Sequence, residues 1–258
     1  MRMRTITVVV AMAAAAVATG AAAVPASAAE APAIIGGGNV SAKDYPWMIA
    51  LYGSDHKFHC GGELIAPDKV LTAGHCTGNV EAVQGRDDVT KGGGTSYKVI
   101  RHDRNPHFKQ VGDPKGDDIK WGDVGVLTLD RPVRGVQPIG FVKQGETGPY
   151  AAGTAAQILG WGKDKSGKIG HLKKAGVPIV SEAQCKQAYG KDFDAREIVC
   201  AGNWSAGGVD ACSNDSGGPL LVGGRVAGIV SAGRGCAQAH NPGTYARLAS
   251  YADWVRAR

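Results

Sequence analysis

The chain has 258 residues, of which 43% are hydrophobic and 6% aromatic, and its 29 Lys or Arg against 23 Asp or Glu give a formal net charge of +6. This length suits one or two compact domains with a substantial core. The lysines are scattered rather than gathered on one periodic face, which argues against nucleic-acid recognition and favours a soluble, mildly basic protein.

The N-terminal segment has the pattern of a secretory signal peptide. Arg2 and Arg4 precede an apolar run from Ile6 through Val17, and Ala26-Ser27-Ala28 supplies small residues for cleavage. A transmembrane anchor is the alternative, but the run is rich in alanine and shorter than the roughly 20 residues that a span needs. We therefore predict a signal peptide over residues 1–28, an exported extracellular protein, and a mature form with no membrane segment.

Short apolar runs separated by Gly, Pro, Asp and Asn turns predict an all-β fold. Such spacing is typical of a sandwich or a barrel rather than of alternating strands and helices. The predicted strands include Met48–Leu51, Glu63–Ile65, Lys69–Leu71, Val124–Leu129, Ala156–Leu159 and Arg225–Val230.

Two further segments are predicted between and after these strands. Residues 130–148 have the character of a crossover between two halves of the fold. Only the C-terminal end has a helical pattern, with Ser250 as a candidate N-cap and Tyr251, Trp254 and Val255 on one face.

One of the seven histidines stands in a distinctive position. His75 ends the apolar strand of Val70-Leu71-Thr72-Ala73-Gly74-His75-Cys76 and adjoins a cysteine, which makes it a candidate general base. A histidine after a strand can also be purely structural. The others have polar or loop-like neighbours and are predicted to lie on the surface: His56, His59, His102, His107, His171 and His240.

The segment 113–130 offers several aspartates that could orient such a base. Asp123 directly precedes the apolar strand Val124–Leu129, so its carboxylate is predicted to be buried where the strand begins. Asp117 and Asp118 precede a segment that cannot form the same strand and are predicted to lie in a solvated loop.

The eleven residues Asp210-Ala211-Cys212-Ser213-Asn214-Asp215-Ser216-Gly217-Gly218-Pro219-Leu220 have the pattern of a nucleophile site. Ser216 lies on a predicted tight turn, and Gly217 and Gly218 are predicted to let a substrate backbone approach closely. A serine hydroxyl is a weak nucleophile unless a base activates it. A loop with no chemistry is the alternative for a short Asp-Ser-Gly match.

This stretch resembles the serine signature of the chymotrypsin/trypsin family, and of its secreted bacterial trypsin-like serine proteases in particular. The segment around His75 resembles the TAAHC motif of that family with Gly74 in place of an alanine, a change expected to loosen packing. Asp123 matches the family's orienting acid. The resemblance thus implies a catalytic triad of His75, Asp123 and Ser216, with the backbone N–H groups of Asn214 and Ser216 as the oxyanion hole.

The resemblance also implies the architecture. We expect two six-stranded antiparallel β-barrels with a short C-terminal helix and the active site between the barrels. The implied domains are a short propeptide at 29–33 and a peptidase domain at 34–258, divided into an N-terminal barrel at 34–141 and a C-terminal barrel with its helix at 142–258.

Six cysteines in an exported chain predict disulfides, with fifteen pairings open from the sequence alone. Zinc is the alternative, but the chain contains no CxxC pair and no HExxH motif. The resemblance selects three pairs: Cys60 with Cys76, Cys185 with Cys200, and Cys212 with Cys236.

Ile34-Ile35-Gly36-Gly37 resembles the N-terminus of the active family members. The resemblance implies that the freed Ile34 ammonium pairs with the carboxylate of Asp215 and orders the oxyanion loop. A flexible linker is the alternative. Because Ala33 precedes Ile34, we expect that another protease or the export machinery exposes this terminus.

Asp210 lies six residues before Ser216, where trypsin-like members carry the carboxylate of the primary specificity pocket. The implied substrates are proteins or peptides with Arg or Lys before the cleaved bond. The remaining pocket residues implied by the resemblance are Ala211, Ser231, Gly233 and Gly243.

Two departures from the family pattern favour a second hypothesis. Asn214 stands where the family has glycine, and Ala232 stands where it has an aromatic cleft residue. A catalytically weak homologue that acts as a binding or adhesion module is therefore the alternative function.

For the main hypothesis we expect no cofactor and no required metal. We expect a monomer that binds neither nucleic acid nor membranes, with protein protease inhibitors as candidate partners.

Overall fold

The computed structural model describes residues 1, 34–111 and 119–258. The predicted cleavage site of the signal peptide, the predicted propeptide at 29–33 and the loop at Asp117 and Asp118 lie outside these residues. Residues 34–258, as far as they are described, belong to one compact unit.

Strands dominate the described residues, as the apolar runs predicted. The fifteen strands are β1 (Gly38–Asn39), β2 (Met48–Gly53), β3 (Phe58–Ala66), β4 (Lys69–Thr72), β5 (Val80–Gln84), β6 (Thr95–Arg104), β7 (Lys109–Gln110), β8 (Lys120–Trp121), β9 (Gly125–Leu129), β10 (Ala155–Gly160), β11 (Lys173–Pro178), β12 (Ile198–Ala201), β13 (Pro219–Val222), β14 (Arg225–Ala232) and β15 (Gly243–Arg247).

The first half of the fold is a closed antiparallel barrel of six strands in the order β2-β3-β4-β9-β6-β5. Closure leaves its strands without free edges except at their ends. β4 pairs with β9 through Val70 and Leu127, and both side chains are fully buried. This pairing places the residue after β4 close to the residue before β9.

The second half is a seven-stranded sheet in the order β1-β11-β10-β13-β14-β15-β12. An isolated bridge between Ile179 and Ala201 links the segment after β11 to β12, so the six strands from β10 to β15 curl toward closure. The all-β prediction with two barrels is confirmed with one addition. β1 joins the outer side of β11 through the pair Gly38 and Lys174, which the sequence did not indicate.

The predicted crossover connects the two halves. No strand lies between Leu129 and Ala155, where every residue is described. The Ile139 N–H donates to Leu64 in β3 at 2.9 Å, and the Val142 N–H donates to Val226 in β14 at 3.0 Å. The connection therefore hydrogen-bonds to both sheets.

The predicted C-terminal helix is α2 (Ala252–Arg256). Ser250 does not cap it, because Tyr251 occupies the N-cap position and the Ser250 hydroxyl donates to the Arg196 carbonyl. Within the part of the chain that the structure describes, no helix is long and apolar enough to cross a membrane.

The expectation that only the C-terminal end is helical is wrong. A second helix, α1 (Glu182–Tyr189), precedes β12, and the Ser181 hydroxyl accepts a hydrogen bond from the Gln184 N–H at 3.2 Å. Cys185 and Tyr189, four residues apart, bury one face of the helix. Serine followed three residues later by glutamine is a capping-box pattern, so the sequence did contain this signal.

An unexpected carboxyl group is buried in the first barrel. Glu63 in β3 is 0% exposed, and neither carboxyl oxygen has a hydrogen-bond partner among the described residues. Burial raises the pKa of Glu63 well above its usual value. Because the buried group holds its proton more tightly than it would in the unfolded chain, ionisation at rising pH costs stability.

Replacing Glu63 with glutamine is expected to raise the free energy of unfolding more at pH 8 than at pH 4. Glutamine does not titrate. In the wild type, the raised pKa of Glu63 lowers the free energy of unfolding by about 1.4 kcal/mol for each unit of the shift that lies below the working pH. Urea unfolding in a Ser216→Ala background, which prevents self-digestion, measures the difference. Glu81→Gln, at a partly exposed position in β5, is the matched control. A Glu63→Gln effect that is independent of pH would contradict this prediction.

Candidate active site

His75 and Asp123 meet at one end of the first barrel. His75 lies in a short 3-10 turn, Gly74–Cys76, directly after β4, and Asp123 lies just before β9. The His75 Nδ1 lies 2.8 Å from Asp123 Oδ2, and the His75 backbone N–H donates to Asp123 Oδ1 at 2.9 Å. Two contacts to one carboxylate fix both the ring and its backbone.

The environment of Asp123 favours a buried negative charge. Its side chain is 0% exposed, and Ser231 in β14 donates its hydroxyl to Asp123 Oδ2 at 2.5 Å. Burial alone would raise the pKa of Asp123. The His75 imidazole and the hydrogen bonds from His75 and Ser231 outweigh that effect and hold the pKa below its usual value. The carboxylate can therefore orient the ring and stabilise positive charge on it.

Gly74 does not loosen this region as expected. A Cβ at Gly74 would lie 3.1 Å from the Phe108 ring, 3.2 Å from the Val124 nitrogen and 3.3 Å from Asp123 Oδ1. These distances are shorter than ordinary van der Waals contacts. The position beside the Asp123 carboxylate therefore has little room for a side chain.

Ser216 lies in the loop between β12 and β13, and its carbonyl accepts a hydrogen bond from the Gly61 N–H at 2.8 Å. A side chain at either of the two glycines that follow it would meet the protein backbone. A Cβ at Gly217, where φ is 81°, would lie 2.3 Å from the Gly61 carbonyl oxygen, and one at Gly218 would lie 2.7 Å from the Leu159 carbonyl oxygen. The glycines therefore allow the serine loop to pack against both halves of the fold, and their predicted role in substrate approach stays a prediction.

Asn214 adopts the left-handed backbone conformation with φ of 71°. Asparagine tolerates this region better than most residues, which explains how it occupies a position where glycine is usual. Its side-chain Nδ2 lies 3.3 Å from the carbonyl oxygens of both Phe58 and His59 in β3.

Asp210 and Ser216 line a common cavity of about 260 Å³, which we call the acidic cavity. Ala211, Ser231, Gly233 and Gly243 line it too, so the structure brings together the whole predicted pocket. A Cβ at Gly243 would lie 2.4 Å from Asp210 Oδ1. The glycine thus keeps the approach to the carboxyl group open.

The carboxyl group of Asp210 is buried and only partly satisfied. The side chain is 2% exposed, and the Ala237 N–H donates to Oδ2 at 3.1 Å, whereas Oδ1 has no hydrogen-bond partner among the described residues. Burial raises the pKa of Asp210 to about 7, against the hydrogen bonds from the Ala237 and Ala211 backbone. A cationic group entering the cavity would supply the missing partner.

Asp215, next to the serine, is a second buried acid. It is 1% exposed and accepts hydrogen bonds from the Gly162 N–H at 2.8 Å and the Cys212 N–H at 2.9 Å. Burial raises its pKa to about 7 against those two hydrogen bonds. Ile34 is also fully buried, and the following residue, Ile35, exchanges backbone hydrogen bonds of 3.0 and 3.1 Å with Asp210.

Comparison with known proteins identifies the fold and its chemistry. The family model described as Trypsin matches residues 34–255. The chain belongs to the trypsin family. Its relatives include "Trypsin" from Saccharopolyspora erythraea, 42% identical over 85% of this chain and 95% of that protein. "Trypsin 5G1" from Aedes aegypti is 35% identical over 86% and 84%, and "Trypsin" from Squalus acanthias is 33% identical over 86% and 94%.

Family membership makes the chain a trypsin-like serine endopeptidase that acts on proteins. Its six cysteines form the pairs Cys60–Cys76, Cys185–Cys200 and Cys212–Cys236. Among the described residues, the one cluster with metal-ligand spacing is Cys60, His75 and Cys76. The two sulfur atoms of that cluster are bonded to each other and offer no thiolate.

Two of the contacts around this trypsin-family site were not predicted from the sequence. Ser231, predicted as a pocket residue, also donates its hydroxyl to Asp123 from 108 residues away. The Asn214 carboxamide reaches across to β3. Both contacts join residues that are distant along the chain, and no local pattern marks them.

Five of the six remaining histidines are exposed and His171 is half-buried, in keeping with the surface prediction.

Proposed function

We propose that this chain is a secreted endopeptidase that hydrolyses peptide bonds after Arg, and less well after Lys, through an acyl-enzyme. The observation that carries the proposal is the Asp210 Oδ1 atom, which has no hydrogen-bond partner in the described part of the chain and lies in the acidic cavity that Ser216 also lines. A guanidinium or ammonium group would stabilise the ionised form of this buried carboxyl group by a charge-assisted hydrogen bond.

In the proposed mechanism, His75 takes the hydroxyl proton of Ser216 as the oxygen attacks the carbonyl carbon. Asp123 holds the ring and stabilises the imidazolium. The backbone N–H groups of Asn214 and Ser216 stabilise the oxyanion of the tetrahedral intermediate. His75 then gives the proton to the leaving amine as the C–N bond breaks, and water repeats the sequence on the acyl-enzyme.

The proposed enzyme is made as a longer precursor and acts outside the cell. Cleavage of the signal peptide after residue 28 and of the propeptide after Ala33 would give an extracellular peptidase domain, 34–258, with one barrel in 34–141 and the other in 142–258. The freed ammonium of Ile34 would pair with Asp215. We propose a monomer that needs no metal and that protein protease inhibitors can block.

The proposal is tested by assaying the chain that begins at Ile34 with matched peptide nitroanilides ending in Arg, Lys, Phe or Ala. We expect turnover after Arg and Lys and little after Phe or Ala, because a neutral side chain leaves the Asp210 carboxylate unpaired. No turnover of any of the four would instead favour the binding or adhesion module that Asn214 and Ala232 suggest.

Arg is expected over Lys by several-fold to about tenfold in kcat/KM. The arginine fork can satisfy the Asp210 carboxylate with two bonds, whereas the lysine ammonium needs further acceptors for its three donors. Ala211 offers no side-chain acceptor for them. An incompletely satisfied buried donor costs about 1 kcal/mol, which corresponds to several-fold in rate.

Peptide amides that differ only in Arg or Lys measure this preference. Ala211→Ser should narrow it by adding a hydroxyl acceptor, whereas Ala152→Ser, at an exposed turn position, should not change it. Equal kcat/KM values for the two peptides, or a preference for Lys, would contradict this expectation and would indicate that ordered water or the Ser231 hydroxyl, which also lines the cavity, supplies the missing acceptor.

A further inference from the structure

Ser216 lies between two cavities. On one side is the acidic cavity, and on the other is a cavity of about 620 Å³ lined by His75, Ser216, His59 and the Cys60–Cys76 disulfide, which we call the His75 cavity. In the proposed function, on which this inference rests, the basic residue before the cleaved bond enters the acidic cavity. Since His75 protonates the leaving amine, the residues after the cleaved bond must lie on the His75 side.

His59 and Cys60 of β3 line the His75 cavity, on a stretch of the strand that β4 does not cover. At Phe58 and Cys60, β3 pairs with β2 on one side, but on its other side the pairing with β4 begins only at Glu63. The carbonyl groups of such an edge can accept hydrogen bonds from an extended peptide that runs beside it. A leaving peptide chain in the His75 cavity would pass next to this edge.

The Asn214 carboxamide already occupies those acceptors. Its Nδ2 donates to the carbonyl oxygens of Phe58 and His59, both at 3.3 Å. These distances lie just beyond the usual range of about 2.7–3.2 Å for N–H···O bonds, so the contacts are weak enough to be displaced. A leaving chain must either displace the carboxamide or forgo these two carbonyl groups.

We infer that the Asn214 side chain discriminates against substrates with an extended chain after the cleaved bond, by occupying the Phe58 and His59 carbonyl groups. The backbone N–H of the same residue remains available for the oxyanion. The enzyme should thus favour short or compact leaving groups over long peptide ones. Asn214 is a specificity-determining residue in this inference, in addition to its proposed oxyanion role.

Two substrates with the same acyl portion ending in Arg isolate the effect. One has a nitroanilide leaving group, and the other has a leaving peptide of four residues, followed by fluorescence. The measured quantity is the ratio of kcat/KM for the peptide to kcat/KM for the nitroanilide. Asn214→Gly keeps the backbone N–H and tolerates φ of 71°, and should raise this ratio about three- to tenfold, the usual worth of one hydrogen bond.

Asn214→Asp tests whether the effect comes from hydrogen bonding to the two carbonyl groups or from the size of the side chain. The carboxylate has the same size and cannot donate, so the ratio should rise although its charge beside the oxyanion lowers both rates. Asn203→Gly, at an exposed loop position where the Asn203 side chain accepts from the Ala206 N–H, is the matched control and should leave the ratio unchanged.

The acyl-enzyme can react with water or with an added peptide amine, and the ratio of these two products is an independent measurement. The amine enters from the side by which the leaving chain departs. Asn214→Gly should raise the yield of aminolysis over hydrolysis by a similar factor. If the wild type and Asn214→Gly turn over the nitroanilide with unchanged ratios and partitioning, this inference is overturned and the proposed function stands. If neither protein turns over any Arg substrate, the proposed function fails and the inference fails with it.

Discussion

Replacing Ser216 with alanine is expected to lower kcat on an Arg nitroanilide about a millionfold without changing the fold, and His75→Ala should do nearly the same. Serine cannot attack without a base, and the base has nothing to activate without the serine. The double variant should therefore be little worse than either single variant. Steady-state kinetics at high enzyme concentration measures all three proteins and the wild type.

Thermal unfolding of the same proteins is the control for folding. His75 is half-buried, and Asp123 is the one described side chain to which its ring is hydrogen-bonded, so removal of the ring should change stability far less than activity. Losses that add in the double variant would contradict the proposed joint action of the two residues. Residual activity near the wild-type level in Ser216→Ala would exclude Ser216 as the nucleophile.

The site could be predicted largely because each part of it is encoded locally. His75 follows an apolar strand, Asp123 precedes another, and Ser216 lies in an eleven-residue signature. The barrel pairing of β4 with β9 then brings the first two together without any further information in the sequence. Local motifs and strand order are the features that a single sequence reveals well.

The contacts that the sequence did not predict depend on tertiary packing. Glu63 occurs in an ordinary strand pattern, and nothing in that pattern shows that its carboxyl group is enclosed on all sides. β1 is only two residues long, too short for periodicity, and it finds its place by pairing with β11. Gly217 and Gly218 have the composition of a substrate-facing turn, but their neighbours come from distant strands.

The activation step also needs more than local pattern. The sequence pairs Ile34 with Asp215 by resemblance, and the structure places both side chains in the interior. Asp215 accepts two backbone N–H donors, and burial raises its pKa to about 7, so ionisation is less favourable there than in an exposed carboxyl group. A newly freed ammonium would favour its ionised form.

Asp215→Asn is expected to abolish most of the gain in activity that accompanies release of the Ile34 terminus. A neutral carboxamide cannot pair with an ammonium, and its NH₂ group would oppose one of the two N–H donors, from Gly162 and Cys212, that now face the carboxylate. Breaking a buried ion pair costs about 3–5 kcal/mol, which corresponds to roughly two to four orders of magnitude in the population of the ordered loop.

Four proteins test this expectation as a cycle: chains that begin at Ile34 or at Ala29, each with Asp215 or with asparagine. With Asp215, the chain that begins at Ile34 should exceed the longer one at least a hundredfold in kcat/KM. With asparagine, the two chains should be nearly equal, because the ammonium has lost its partner. Asp164→Asn is the matched control, since Asp164 also accepts backbone N–H donors, from Ser166 and Lys168, but is only partly buried. Full activity of the chain that begins at Ala29, or an undiminished gain in the asparagine pair, would overturn the proposed pairing of Ile34 with Asp215.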